Sequence, residues 1–154
     1  MKKGLELTIP PPLIALTVAV LMWGVARLVP GAALPFPRSA TLAIVVAAVG
    51  FGIALIGVLQ FWRASTTINP HTPQKSAQLV EHGIYRFSRN PMYLGLVVVL
   101  LAWALYLTNA LSLLLIPGFI VYINRFQILP EERHMRALFG QPFDEYAARV
   151  RRWI

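Results

Sequence analysis

The sequence predicts an all-α, polytopic membrane protein of about four transmembrane helices, with a helical hairpin in its C-terminal half and amphipathic helices after it. Three observations carry that prediction. Of 154 residues, 57% are hydrophobic and only 13% charged. The mean hydropathy is +0.63. Three long intervals, between Glu6 and Arg27, Arg38 and Arg63, and Arg89 and Arg125, contain no Asp, Glu, Lys or Arg. The remaining polar residues are too few to cover three such stretches in a soluble fold. The chain reads as one membrane-embedded domain, 1–154: an N-terminal helix pair (1–62), a cytoplasmic loop (63–90), a hairpin (91–129) and an amphipathic tail (130–154).

A membrane span takes about 20 apolar residues, so the first two intervals each hold one helix. Pro10, Pro11 and Pro12 open the first, where a missing N–H costs least. Helix two, from about Ala40 to Trp62, carries small residues four apart (Ala43 with Ala47, Ala48 with Gly52, Gly50 with Ala54), a pattern that lets backbones approach closely in lipid. The third interval is too long for one helix. Thr108 and Asn109 lie near its middle and divide it into Pro91 to Leu107 and Ala110 to Leu129, with a kink expected at Pro117. After it, Met135, Leu138 and Phe139, and then Phe143, Tyr146, Ala147 and Val150, follow helical spacing. They form two amphipathic helices broken at Gly140 and Pro142, expected to lie along the membrane surface.

Four spans place both termini and the 63–90 loop on one side, and with them twelve of the fourteen Lys and Arg residues; only Arg27 and Arg38 fall opposite. The positive-inside rule makes that side cytoplasmic. The formal net charge of +8 therefore reflects topology and attraction to anionic lipid rather than a nucleic-acid footprint. Cysteine is absent, which excludes disulfides and thiol nucleophiles. His71, His82 and His134 lack paired-ligand spacing, so no metal site is expected. No phosphate-binding glycine motif occurs, and no buried charge marks a proton-coupled transporter.

Two runs can carry chemistry. The loop that also holds Pro70, His71, Pro73, Lys75, Gln78 and Glu81 is longer than a simple connection needs. It ends in HGIYRFSRNPMYLG, from His82 to Gly95. Asn90 followed by Pro91 signals a helix start, with Asn able to cap free N–H groups. Arg86 and Arg89 beside the positive helix end could bind an anion, and Tyr85 and Tyr93 offer flat faces and hydroxyls. Taken singly, these read as the anchors and aromatic belt of any membrane helix, whereas their dense combination points to a site. The second run opens on Glu131 and Glu132. These could contact ribose hydroxyls, an ammonium group or the arginines, or could simply favour a helix N-terminus.

Together the runs resemble the membrane-embedded isoprenylcysteine carboxyl methyltransferases and phospholipid methyltransferases. Gly83, Tyr85, Arg89, Asn90, Pro91, Tyr93 and Gly95 match the first signature of that group. Glu131, Glu132, Met135, Phe139 and Gly140, with Phe143 and Tyr146 following, match the second. The resemblance covers roughly Leu79 to Val150. It implies S-adenosylmethionine as methyl donor, S-adenosylhomocysteine as product, and a lipophilic or lipidated acceptor arriving from the bilayer. It also implies that His82, Gly83, Tyr85, Arg89, Asn90, Pro91, Tyr93, Gly95, Glu131 and Glu132 line the cofactor site, with Arg89 and Glu132 nearest the reaction. Asn90 stands where the prenylcysteine enzymes have His. That and the small size point to a bacterial or archaeal plasma-membrane relative with a different acceptor. Two other functions compete: a membrane sterol-type reductase using NADPH, and a non-enzymatic scaffold or transporter accessory.

Overall fold

A computed structural model describes residues 6–65 and 79–154. Lys2 and Lys3, and the loop residues Pro70, His71, Pro73, Lys75 and Gln78, lie outside the described residues. Four apolar helical segments run alternately up and down. Helix α1 spans Pro11–Leu28, α2 Ala40–Ser65 and α3 Pro91–Leu107. The fourth segment is helical from Ala110 to Phe139 and comprises α4 (Ala110–Leu113), α5 (Leu115–Ile123), a π-helical turn (Asn124–Ile128) and α6 (Leu129–Phe139). Helix α7 (Gln141–Arg149) follows. Three of the four segments are long and apolar enough to cross a membrane, and α3, at 17 residues, is shorter. The chain is an integral membrane protein.

Backbone chemistry explains the interruptions. At the hairpin, Thr108 adopts the left-handed conformation and Asn109 caps α4, its side chain accepting from the Ser112 N–H at 3.1 Å. Pro117 has no N–H to return to the Leu113 carbonyl, and the helix breaks at Leu114. Pro130 cannot serve the Phe126 carbonyl, and the π-turn immediately precedes it. The chain then turns at Gly140, φ +61°, before α7. The first amphipathic stretch thus continues the fourth membrane helix directly as α6, because the π-turn absorbs the proline that would otherwise end it.

Helix α3 is the centre of the bundle, gripped by α2 on one side and by α1 and the fourth helix on the other. Ala43, Gly50, Ala54 and Gly57 form the α2 stripe that faces it. A Cβ at Gly95 would lie 2.5 Å from the Gly50 carbonyl oxygen and 2.7 Å from the Ala54 Cβ, while Gly57 packs on Pro91 and Met92. The Ala48 and Gly52 pair is not part of this contact: Ala48 is exposed and nothing lies within 4 Å of a Cβ at Gly52. Side-chain hydrogen bonds hold α1, as polar groups do between helices in lipid. Trp103 Nε1 donates to the Ala19 carbonyl at 3.0 Å, Ser112 Oγ to Met22 at 2.7 Å and Asn109 Nδ2 to Val29 at 2.9 Å. The outer faces of α1 and α2 expose Leu16, Val20, Ile44, Val49 and Phe51, as a lipid-facing surface requires.

The up-and-down order brings Glu6, the end of α2, residues 79–90 and the 125–154 region to one end of the bundle. At the other end, Arg27 lies over the Trp23 ring and Arg38 over the Tyr106 ring. Gly95→Leu should lower the thermal unfolding midpoint in detergent, by an amount corresponding to about 1–3 kcal/mol of overpacking. Gly52→Ala, with open space around it, should leave the midpoint unchanged.

Candidate functional site

At the polar end, the starts of α3 and α6 and the face of α7 enclose a cavity of about 530 Å³, within the range of about 300–1,000 Å³ usual for small-molecule sites. One wall is polar: Arg89, Asn90, Tyr93, Glu131 and Glu132. The other is apolar and aromatic, including Phe61, Val80, Met92, Met135, Leu138 and Phe143.

The polar wall is organised around Glu132. Arg152, near the C-terminus, donates from Nε and Nη2 to the two carboxylate oxygens of Glu132, at 2.8 Å each. Arg89 Nη2 approaches Glu132 Oε1 at 2.9 Å. The Glu132 and Arg89 side chains are 7% and 11% exposed, and Arg152 is 39% exposed. The three groups carry one surplus positive charge. The hydrogen bond to Glu132 strengthens the hold of the Arg152 guanidinium on its proton. Arg89 Nε is a buried donor with no hydrogen-bond partner among the described residues. Glu131 is placed differently. Its Oε1 accepts a short hydrogen bond from the Tyr93 hydroxyl, and no cation pairs with it among the described residues.

The backbone fixes this arrangement. The Arg89 N–H donates to the Arg151 carbonyl at 3.0 Å. Asn90 Nδ2 and Ser88 Oγ donate to the Arg152 carbonyl at 3.0 and 3.3 Å, and Trp153 Nε1 donates to Asn124 Oδ1 at 3.2 Å. Asn90 stands at the helix-cap position but makes no side-chain cap bond. The expected capping role is corrected: its amide is committed to the tail, and the Ser88 hydroxyl accepts from the Asn90 N–H instead. Tyr146 Oη donates to the Tyr85 carbonyl at 2.8 Å, and Tyr85 Oη donates to the Gly57 carbonyl at 3.2 Å. Burial, with the Glu131 charge second, pushes the Tyr85 phenol up to about 12. Burial likewise raises Tyr146. Both phenols stay neutral donors at ordinary pH.

Of the residues singled out in the sequence, Tyr85, Arg89, Asn90, Tyr93, Glu131 and Glu132 meet at the cavity. His82, Gly83, Pro91 and Gly95 are outside its lining. His82 is exposed. Gly83 has φ +61°, and its missing Cβ makes room for Gln60, whose Oε1 accepts the Ile84 N–H at 3.0 Å. Pro91 and Gly95 are buried against α2. Sequence reasoning missed the parts played by Arg152, Ser88 and Gln60 and the apolar lining from Phe61, Val80 and Met92. Arg152 looks in sequence like one more membrane-surface cation, and no spacing marks it as the partner of Glu132.

The architecture is a membrane helical bundle with a mainly apolar cavity at one end that carries a cluster of charged side chains. Residues 39–142 match the family model described as phospholipid methyltransferase, and the chain belongs to that family. It is 46% identical over 63 residues to an uncharacterized protein of Haemophilus influenzae, a match covering 41% of this chain and all of that protein. It is 29% identical over 110 residues to proteins named probable protein-S-isoprenylcysteine O-methyltransferase in Oryza sativa subsp. indica and subsp. japonica. Those matches cover 70% of this chain and 56% of each rice protein, so the chain spans little more than half the length of these relatives. No solved structure matches.

Removing one member of a buried ion cluster leaves its partners' charge uncompensated, at a cost of about 3–5 kcal/mol. Glu132→Ala should therefore lower the unfolding midpoint more than Arg152→Ala does, since Arg152 is the most exposed member and leaves the Arg89 pair intact. Thermal melts of the two variants in one detergent check that order.

Proposed function

We propose that the chain is an S-adenosylmethionine-dependent methyltransferase acting on a lipophilic acceptor, with the cavity as cofactor and reaction site. The observation that carries this reading is the mixed lining: charged and hydroxyl side chains from both sequence signatures share one cavity with apolar side chains of α2, α3, α6 and α7. The residues fit the cofactor. The unpartnered Arg89 Nε is a buried donor that calls for an acceptor. The Glu131 carboxylate, without a cationic partner, suits an ammonium or sulfonium. The apolar surface around Met135, Leu138 and Phe143 suits an adenine ring.

Bound there, S-adenosylmethionine would supply an electrophilic methyl group. The protein's share is orientation and exclusion of water, the main levers for an in-line displacement. Arg89, held by Glu132, orients an anionic group. Tyr93 holds Glu131 in place. A carboxylate acceptor needs no base, whereas an amine or thiol acceptor would give its proton to Glu131. The geometry favours Glu131 for that task over Glu132, whose two oxygens are occupied by arginines. The acceptor reaches the apolar wall from the bilayer, and the bundle end carrying the cavity faces the cytoplasm, as the charge asymmetry of the sequence favours. The membrane and the acceptor are the partners this reading requires.

Calorimetric titration of the detergent-purified chain with S-adenosylhomocysteine tests the reading. Saturable binding with thermal stabilisation is expected. Arg89→Ala and Tyr93→Phe should each weaken it by about tenfold, roughly 1.4 kcal/mol. No heat and no stabilisation from a monodisperse sample would sink the assignment.

A further inference from the structure

The π-turn before the two glutamates is held from outside its own helix, and by both ends of the chain. Pro130 has no N–H, so the Phe126 carbonyl lacks its helical donor; the Leu7 N–H takes that place at 3.0 Å. Gln127, buried, donates from Nε2 to the Ile9 carbonyl at 2.8 Å. Glu6 pairs with Arg125 at 3.4 Å and with Arg133 at 2.6 Å, one on the turn and one a helical turn beyond Pro130. From the other end, Trp153 reaches Asn124, the first residue of the turn. Residues 6–9 and 153 lie outside the 39–142 stretch that matches the family model.

A π-turn absorbs one residue more than an α-turn. With 3.6 residues per α-helical turn, every later residue stands about 100° from where an unbroken helix would put it. Straightening the turn would therefore put residue 130 where Glu131 now stands and Glu131 where Glu132 stands. Glu131 would lose Tyr93, and Arg89 and Arg152 would face the wrong carboxylate.

We propose that Pro130 and the N-terminal strap Glu6–Ile9 are positioning elements. By keeping the π-turn open, they set the rotation of α6 that delivers Glu131 to the cavity and Glu132 to the arginines. The proposal rests on the methyltransferase reading only for its ligand-binding readout, since the rotation itself can be measured without ligand.

The test uses the full chain in detergent. Because the sequence has no cysteine, spin labels can be placed at Phe87→Cys and Ala137→Cys, two exposed positions outside the cavity lining. Pro130→Ala restores a donor to the Phe126 carbonyl. It should displace the backbone at residue 137 by about 4 Å, as a rotation of about 100° on a helix with Cα atoms about 2.3 Å from its axis requires, change the label distance accordingly, and weaken S-adenosylhomocysteine binding about tenfold or more. The thermal melt should stay cooperative, which general damage to the fold would not give. Deleting Arg125 in the Pro130→Ala background removes the extra residue and should restore both distance and binding. An unchanged label distance in Pro130→Ala overturns the proposal. So does a doubly altered chain that melts cooperatively yet stays in the shifted state. If that chain does not fold, the distance measured in Pro130→Ala alone decides. If the parent binds no S-adenosylhomocysteine, the methyltransferase reading fails while the label distance still decides the role of the turn.

Discussion

Glu132 is the charge on which the polar end of the molecule depends. Its carboxylate is nearly out of solvent, and a lone carboxylate there would pay a desolvation cost of several kcal/mol. Two guanidinium groups remove that cost, and they come from opposite parts of the chain: Arg89 from the approach to α3, Arg152 from the tail. The pairing holds the tail against the hairpin, and the Arg151 and Arg152 carbonyls then accept hydrogen bonds from the 88–90 segment. Arg89 and Glu132 of this cluster also line the cavity. The three groups add to the Tyr93–Glu131 and Tyr146–Tyr85 hydrogen bonds, which also tie α6 and α7 to the segment that opens α3.

The membrane part supports this arrangement by rigidity. The close approach of Gly50 and Gly95 fixes α3 against α2, and Gln60 at the end of α2 then reaches the Ile84 N–H. The segment from Gly83 to Arg89 is thereby set over the helix ends before any ligand is considered. A site whose members come from α3, α6 and the tail needs such a frame, because its side chains hold their geometry only if the helices that carry them do.

The membrane helices were legible because charge is costly in lipid: the three charge-free intervals correspond to α1, α2 and the α3–α5 hairpin, and Thr108 and Asn109 are its turn. Local chemistry also gave the breaks near Pro117 and at Gly140. The two signatures pointed to Tyr85, Arg89, Asn90, Tyr93, Glu131 and Glu132, which share one cavity. What the sequence hid was long-range. Asn90 has the composition of a cap, yet its amide serves a carbonyl 62 residues away. Gly83 and Gly95 look like ligand glycines, and their missing side chains make room for α2. The π-turn has no periodic signature, because its cause, a proline four residues after Phe126, is answered by a backbone N–H at Leu7.

If the cavity binds S-adenosylhomocysteine, the tail, the hairpin start and α6 should respond to it as one unit. Amide hydrogen exchange at Arg89, whose N–H is bonded to the Arg151 carbonyl, tests it most directly. Slow exchange is expected in the free protein and slower exchange when S-adenosylhomocysteine is present, with Arg152→Ala abolishing the difference. Fast exchange in the free protein, or a ligand effect that survives Arg152→Ala unchanged, would contradict it.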